Sequence, residues 1–320
     1  MEKPPFQITP NILNLTSSIQ EIVGELKGYS LTKPSVKLRK ENKIRTIHHS
    51  LAIEGNSLSE EQITAILENK RVLGSKTQIL EVKNALVLYD DLGFYSPTNE
   101  KDLLKAHKVL MNGLVDKPGK YRSRQVGVFN GAKVAHMAPS AKLVPSLMKN
   151  LFDFIKKDKE TPWLLKACIF HYELEFIHPF EDGNGRMGRL WQQLLLMKHS
   201  PIFEYLSAES LIHKRQKEYY RVLEQCDAKG DSTLFIEFSL ENILHSLTDF
   251  QKDFRPMKAT SDERIQYALR HFGKGAFSRK DYMELHKGLS SATASRDLAQ
   301  AVSQGFLRKS GDKALAVYTA

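Results

Sequence analysis

The sequence predicts a mainly α-helical protein: a large helical body interrupted by one β-hairpin, then a small C-terminal unit of three helices and a second hairpin. Three observations predict it. Ten segments before residue 254 repeat apolar positions at three- and four-residue spacing. An Asn130-Gly131 pair separates two short strand-like runs. The helical pattern stops near Phe254-Arg-Pro256 and restarts in a different form. With 320 residues, 41% of them hydrophobic, the chain can bury one large core and one small one.

In chain order the helical segments are 11–27, 36–53, 60–70, 77–93, 100–112, 142–156, 162–177, 186–198, 214–228 and 233–252. Gly55 ends the second as a C-cap, and Ser59 with Gln62 opens the third as a capping box. The strand pair lies in 120–139, turning at Asn130-Gly131. Thr161 as N-cap and Pro162 at the first helical position open 162–177, where Leu164, Leu165, Ala167, Cys168 and Phe170 read as core. Leu190, Trp191, Leu194 and Leu195 share one face of 186–198. Beyond the break, 262–272, 278–286 and 290–304 read as helices. The runs 306–309 and 314–319 alternate as strands about Ser310–Lys313.

No internal repeat, low-complexity stretch or run near ~20 apolar residues occurs, so a membrane span is not expected. Two cysteines in a chain this size point to a reducing compartment rather than a disulfide framework. The opening MEKPPFQITP lacks the apolar run of a signal peptide, and the chain is expected to be soluble and cytoplasmic. Its formal net charge of +10 is spread over both units, with a basic cluster at Lys37, Arg39, Lys40, Lys43 and Arg45.

The densest chemistry lies in His178–Arg189, HPFEDGNGRMGR. Gly183 and Gly185 let the backbone approach a ligand closely, and the loop feeds a helix whose first N–H groups and dipole favour an anion. Arg186 and Arg189, three apart, add guanidinium forks suited to phosphate oxygens. Asp182 is a carboxylate of the kind that holds Mg²⁺ beside phosphates, and His178 supplies an imidazole for proton transfer. A zinc reading of His171, Glu173, Glu175 and His178 fails, because zinc deaminases pair His-x-Glu with Pro-Cys-x-x-Cys, which this chain lacks.

This segment resembles the Fic signature HPFx(D/E)GNGRxxR at every defined position: His178, Pro179, Phe180, Asp182, Gly183, Asn184, Gly185, Arg186 and Arg189. The resemblance implies a Fic-type helical core that transfers AMP from ATP to a protein Ser, Thr or Tyr hydroxyl. In it His178 is the base and Asp182 the Mg²⁺ ligand. Asn184 and the Gly183–Gly185 backbone would hold the α-phosphate region, Arg186 and Arg189 the β- and γ-phosphates, and Phe180 would anchor the loop. It divides the chain into an N-terminal helical region at 1–98, a catalytic core at 99–256 and a third unit at 257–320. UMP or another nucleotide donor stays open.

Upstream, Ser50 and Glu54 stand four apart before Gly55 and Asn56, a helical spacing that puts both on one face. This resembles the Fic inhibitory pattern (S/T)xxxE(G/N), in the class that carries it N-terminal to the catalytic motif. It implies that Glu54 occupies Arg189 and repels the γ-phosphate. Some relatives use this Glu to remove AMP, so a reverse reaction is a second expectation. The hairpin at 120–139 resembles the Fic flap, which would pair with the target protein by strand addition. Tyr219 and Tyr220 fall where relatives line the adenine pocket; helical core is the other reading.

Residues 257–320 complete a winged-helix pattern, with eleven Lys and Arg against six Asp and Glu. The third helix would present Thr293, Ser295 and Arg296 to DNA, with Arg308, Lys309 and Lys313 on the wing. Docking of a protein is the other use of such a domain. The competing whole-chain function is a DNA-binding regulator whose Fic core senses nucleotide. A homodimer stays open among the partners.

Overall fold

Ten of the residues in helix α7 (Trp163–Ile177) are buried, so this segment is apolar nearly all round and must lie at a centre. The structure, a computed structural model, describes residues 3–28, 36–125, 127–130, 133–253, 260–273, 275–286, 288–312 and 316–320. The chain divides into two compact units, Met1–Phe254 and Arg255–Ala320. In the first, α7 packs against α8 (Asn184–His199), α6 (Val144–Lys157) and α11 (Thr233–Asp253). Helix α1 (Pro10–Gly28) lies on α11, and α10 (Gln216–Lys229) lies beside it. Helix α2 (Val36–Ile53) touches α3 (Glu60–Leu67), α4 (Lys76–Asp90), α8 and α9 (Ala208–Lys214). Helix α5 (Glu100–Leu110) joins α4 to this body. Residues from Ile12 to Leu247 share one hydrophobic cluster, so helices drawn from the first 98 residues pack into the same core as the rest.

Several expected ends are met and several move. Ser59 and Gln62 form the capping box of α3, but α3 stops at Leu67 because Asn69 turns left-handed, at φ 56°. Helix α7 starts one residue late, with Pro162 as its cap. Helix α8 starts two residues early, at Asn184. Helix α9 was not foreseen: seven residues between two polar turns carry too little periodicity to stand out. No described helix is long and apolar enough to cross a membrane.

The hairpin is shorter than expected. Strand β1 (Gly127–Asn130) pairs antiparallel with β2 (Lys133–Met137), with a bulge between Val128 and Phe129. Asn130 pairs with Lys133 and so belongs to the strand rather than to the turn, while Gly131 lies outside the described residues. Residues 120–125 form no strand, because Arg122 turns inward there.

The second unit holds α12 (Ser261–Phe272), β3 (Phe277–Ser278), α13 (Arg279–Leu285), α14 (Ser291–Ser303), β4 (Arg308–Ser310) and β5 (Val317–Thr319). The strands form an antiparallel sheet in the order β3-β5-β4 around a core that includes Ile265, Phe277, Tyr282, Leu298 and Tyr318. On α14, Arg296 is exposed, whereas the Ser295 hydroxyl accepts from Arg279 at 3.0 Å and Thr293 engages Ser290. Arg308 and Lys309 are exposed on β4; Lys313 lies outside the described residues.

Candidate active site

The loop from α7 to α8 is held in place before any ligand is considered. His178 caps α7 in the left-handed region, φ 49° and ψ 59°, a conformation that costs a non-glycine residue of order 1–3 kcal/mol. Buried Arg122 holds the chain there. Its main-chain N–H donates to Pro179 O at 2.9 Å, and its guanidinium donates to His178 O at 2.7 Å and to Ile177 O at 3.3 Å. The Asn184 side chain closes the loop: Oδ1 accepts from Phe180 N at 2.9 Å and Nδ2 donates to Phe180 O at 3.0 Å. With both ends of its amide on Phe180, Asn184 shapes the loop.

Phe180 is fully buried and stacks on His107, ring centroids 3.7 Å apart. Gly119 N donates to His107 Nδ1 at 2.9 Å, which fixes the tautomer, so Nε2–H donates to Asp182 O at 3.0 Å. Burial pushes this imidazole down to about 4. It stays neutral and serves the loop as a fixed polar strut.

Gly183 caps α8 at φ 85°, and the first main-chain bond of the helix runs from Met187 N to Gly183 O. The N–H groups of Asn184, Gly185 and Arg186 precede it, which leaves three donors and the positive helix end at the loop. Asp182 Oδ1 accepts from Gly183 N at 2.5 Å and from Arg186 at 3.0 Å. Its side chain is 57% exposed, and Oδ2 has no partner among the described residues. A half-exposed carboxylate with one oxygen open fits a single Mg²⁺ ligand beside phosphate oxygens. Arg186 is buried and also donates to Glu81 of α4 at 3.2 Å.

Arg189 is the other guanidinium, and α2 occupies it. NH2 donates to Glu54 Oε1 at 2.7 Å and to Ser50 O at 3.0 Å, and Nε donates to Ser50 Oγ at 3.3 Å. Its side chain is 1% exposed, while that of Glu54 is 31% exposed. Burial alone would lower Arg189, but the Glu54 carboxylate overrides this and holds it above its ordinary value. Gly185 makes the approach possible, since a Cβ there would lie 2.6 Å from Glu54 Oε1 and 3.0 Å from Arg189 NH1. The end of α2 is fixed from two sides. Gln216 donates to Ile53 O at 2.8 Å, and Asn56 donates to Gln78 O at 3.1 Å and to Glu81 at 2.8 Å.

The site residues expected from sequence thus fall together around one loop and one helix end, with Ser50 and Glu54 reaching it from α2. Tyr219 and Tyr220 separate. Tyr219 is core: its hydroxyl donates to Glu175 at 2.9 Å and lies 3.1 Å from His171 Nε2, whereas Tyr220 is exposed. Sequence reasoning missed Arg122, His107, Glu81 and Gln216. Each reaches the site across a separation of 55 to 163 residues, and none breaks the pattern of its own segment; only the unusual burial of Arg122 and His107 marks them.

The Fic/DOC family model matches residues 97–196. A protein adenylyltransferase Fic of Nematostella vectensis is 31% identical over 247 residues, 72% of this chain and 55% of that protein. A protein adenylyltransferase fic-1 of Caenorhabditis elegans is 29% identical over 257 residues, 77% and 48%. The chain therefore spans about half the length of these curated relatives. Among solved structures, a Fic family protein from Desulfovibrio desulfuricans G20 is 40% identical with a TM-score of 0.75, over 99% of this chain and 98% of that one. Fic-1 of C. elegans, at 24% identity and TM-score 0.62 over 76% of this chain and 72% of that one, shares the fold.

Proposed function

Because this chain belongs to the Fic family, we propose that it transfers AMP from ATP to a Ser, Thr or Tyr hydroxyl of a protein, and that Glu54 holds the reaction off. The observation that carries the reading is Arg189, a guanidinium beside the loop already bound by the Glu54 carboxylate at 2.7 Å. The relatives named adenylyltransferases support the choice of AMP.

In this reading His178 takes the proton of the target hydroxyl, whose oxygen attacks the α-phosphorus as the bond to pyrophosphate breaks. The free N–H groups at the start of α8 receive phosphate oxygens. Arg186 and Arg189 orient the remaining phosphates once Arg189 is released from Glu54. Asp182 would hold Mg²⁺, which when bound neutralises phosphate charge. The edge of the β1–β2 hairpin would receive the target segment by main-chain pairing.

Labelling by radioactive ATP tests both halves. Glu54→Gly is expected to raise self-labelling by roughly 5–150-fold, the range of ordinary coupling energies. His178→Ala in that background is expected to lower it by about 10²–10⁴-fold. Equal labelling of wild type and Glu54→Gly would remove the autoinhibition; label that survives His178→Ala would remove the base.

A further inference from the structure

One group of side chains outside the catalytic loop has the composition of a metal site. His48 and His49 lie on α2 and Glu60 is the first residue of α3. One ligand atom from each of the three lies within 4.8 Å of the other two. Among the described residues no other cluster of His, Cys, Asp and Glu does this.

The individual contacts fit ligation better than they fit hydrogen bonding. His48 Nδ1 lies 3.6 Å from Glu60 Oε1, and it is buried without a hydrogen-bond partner among the described residues. Two ligands at about 2.0–2.1 Å from a tetrahedral ion sit roughly 3.4 Å apart, so this pair already stands near the separation an ion would set. The widest separation, at most 4.8 Å, exceeds this by no more than about 1.4 Å, which side-chain movement would close. The Nδ1 of His49 faces Arg45 O at 2.8 Å, and a carbonyl can only accept, so the proton is on Nδ1 and the lone pair on Nε2. Ser210 Oγ stands 3.1 Å from the same Nδ1 and donates to Ser207, so it accepts there too. A ring with one nitrogen donating to carbonyl and hydroxyl oxygens is the usual state of a ligating histidine. His213 of α9 adds a third imidazole, its ring centroid 5.4 Å from that of His49.

We propose that His48, His49 and Glu60 bind a divalent transition-metal ion, with Zn²⁺ the best fit to two imidazoles and a carboxylate, and with His213 or water completing the shell. The side chains of His48 and Glu60 are 24% and 41% exposed, which gives the ion a path from solvent. The bound ion would join α2 to α3, on the same helix that carries Ser50 and Glu54.

Equilibrium dialysis of the full chain against Zn²⁺, followed by metal analysis, tests this without reference to catalysis. One equivalent is expected to bind to wild type. Affinity is expected to fall at least about tenfold in His48→Ala and in Glu60→Gln, the latter leaving the α3 start intact. Co²⁺ added to wild type is expected to give the intense visible bands of a tetrahedral site, and these should vanish in both variants while far-ultraviolet circular dichroism stays unchanged. Equal Zn²⁺ binding by wild type and folded Glu60→Gln, or only octahedral Co²⁺ spectra, would overturn the proposal.

Discussion

Two arginine–carboxylate pairs, one in each unit, each hold a largely buried guanidinium and differ in how completely the partners are satisfied and shielded from water. In the C-terminal unit Arg264 meets Asp297 through two parallel bonds, Nε to Oδ2 at 2.6 Å and NH2 to Oδ1 at 2.8 Å. The Tyr282 hydroxyl adds a third at 3.2 Å, and the two side chains are 12% and 5% exposed. In the larger unit Arg189 meets Glu54 through one bond, with NH1 buried and without a hydrogen-bond partner among the described residues and Glu54 a third exposed. A forked, fully bonded pair fixes α12 on α14. A single bond to a half-open carboxylate leaves the guanidinium able to exchange one anion for another. The difference separates a structural pair from one suited to release.

The largest expected effect tests the first half of this contrast. Asp297→Ala leaves Arg264 and Tyr282 without their buried acceptor and is expected to cost the C-terminal unit about 3–5 kcal/mol. Loss of hydrogen-exchange protection in peptides covering α12 and α14 measures it, unit by unit. Acid should act in the same direction. Burial would raise Asp297, but the Arg264 bonds override it and hold the carboxyl below its ordinary 3.8. Its contribution is therefore complete above about pH 4 and lost as pH falls further. A change under about 1 kcal/mol in Asp297→Ala would break the comparison.

The next effect concerns a second carboxyl near Arg189. Glu209 is buried, its Oε2 has no hydrogen-bond partner among the described residues, and burial raises it to about 7, with the field of Arg189 opposing. The folded state thus keeps a proton that the unfolded chain releases between about pH 4.5 and 7. Stability must fall as pH rises through that window. Glu209→Gln mimics the neutral form and is expected to remove the slope, gaining roughly 1–3 kcal/mol at pH 8, the cost of a buried unpaired group. Urea unfolding from pH 5 to 8 reads it, and an unchanged slope in the variant would show that Glu209 finds a partner.

How much of this was legible follows from where each feature stores its information. The loop from His178 to Arg189 could be read because its residues are consecutive and each type has a local reason to be there. The capping box at Ser59 and the Gly55 stop could be read for the same reason. The Ser50 and Glu54 pair is readable as one helix face, but its meeting with Arg189 spans 135 residues, so in the sequence it rests on the resemblance alone. Arg122 was misread within a strand because Lys120–Arg124 looks like any basic surface segment. Its inward turn is set by carbonyls of Ile177, His178 and Pro179, which no local pattern encodes. The same holds for Glu81, whose bonds to Arg186 and Asn56 cross 105 and 25 residues.

The smallest expected effect is the stability change in Glu54→Gln, and it decides whether the second pair is releasable. Removing one partner of a buried pair normally strands the other charge. Arg189 is protected from that outcome, because it keeps its bonds to Ser50 O and Oγ and stays in the field of Glu175. Glu54 also retains nearly a third of its exposure, so solvent already screens part of the attraction. Glu54→Gln is therefore expected to cost about 1 kcal/mol or less, well under the Asp297→Ala effect, while ATP binding measured by calorimetry tightens. Glutamine keeps the shape and the donor-accepting oxygen of the native side chain and removes only its charge. If the substitution instead cost about 3–5 kcal/mol, the Arg189 pair would be as structural as the Arg264 pair, and a phosphate could not displace it cheaply.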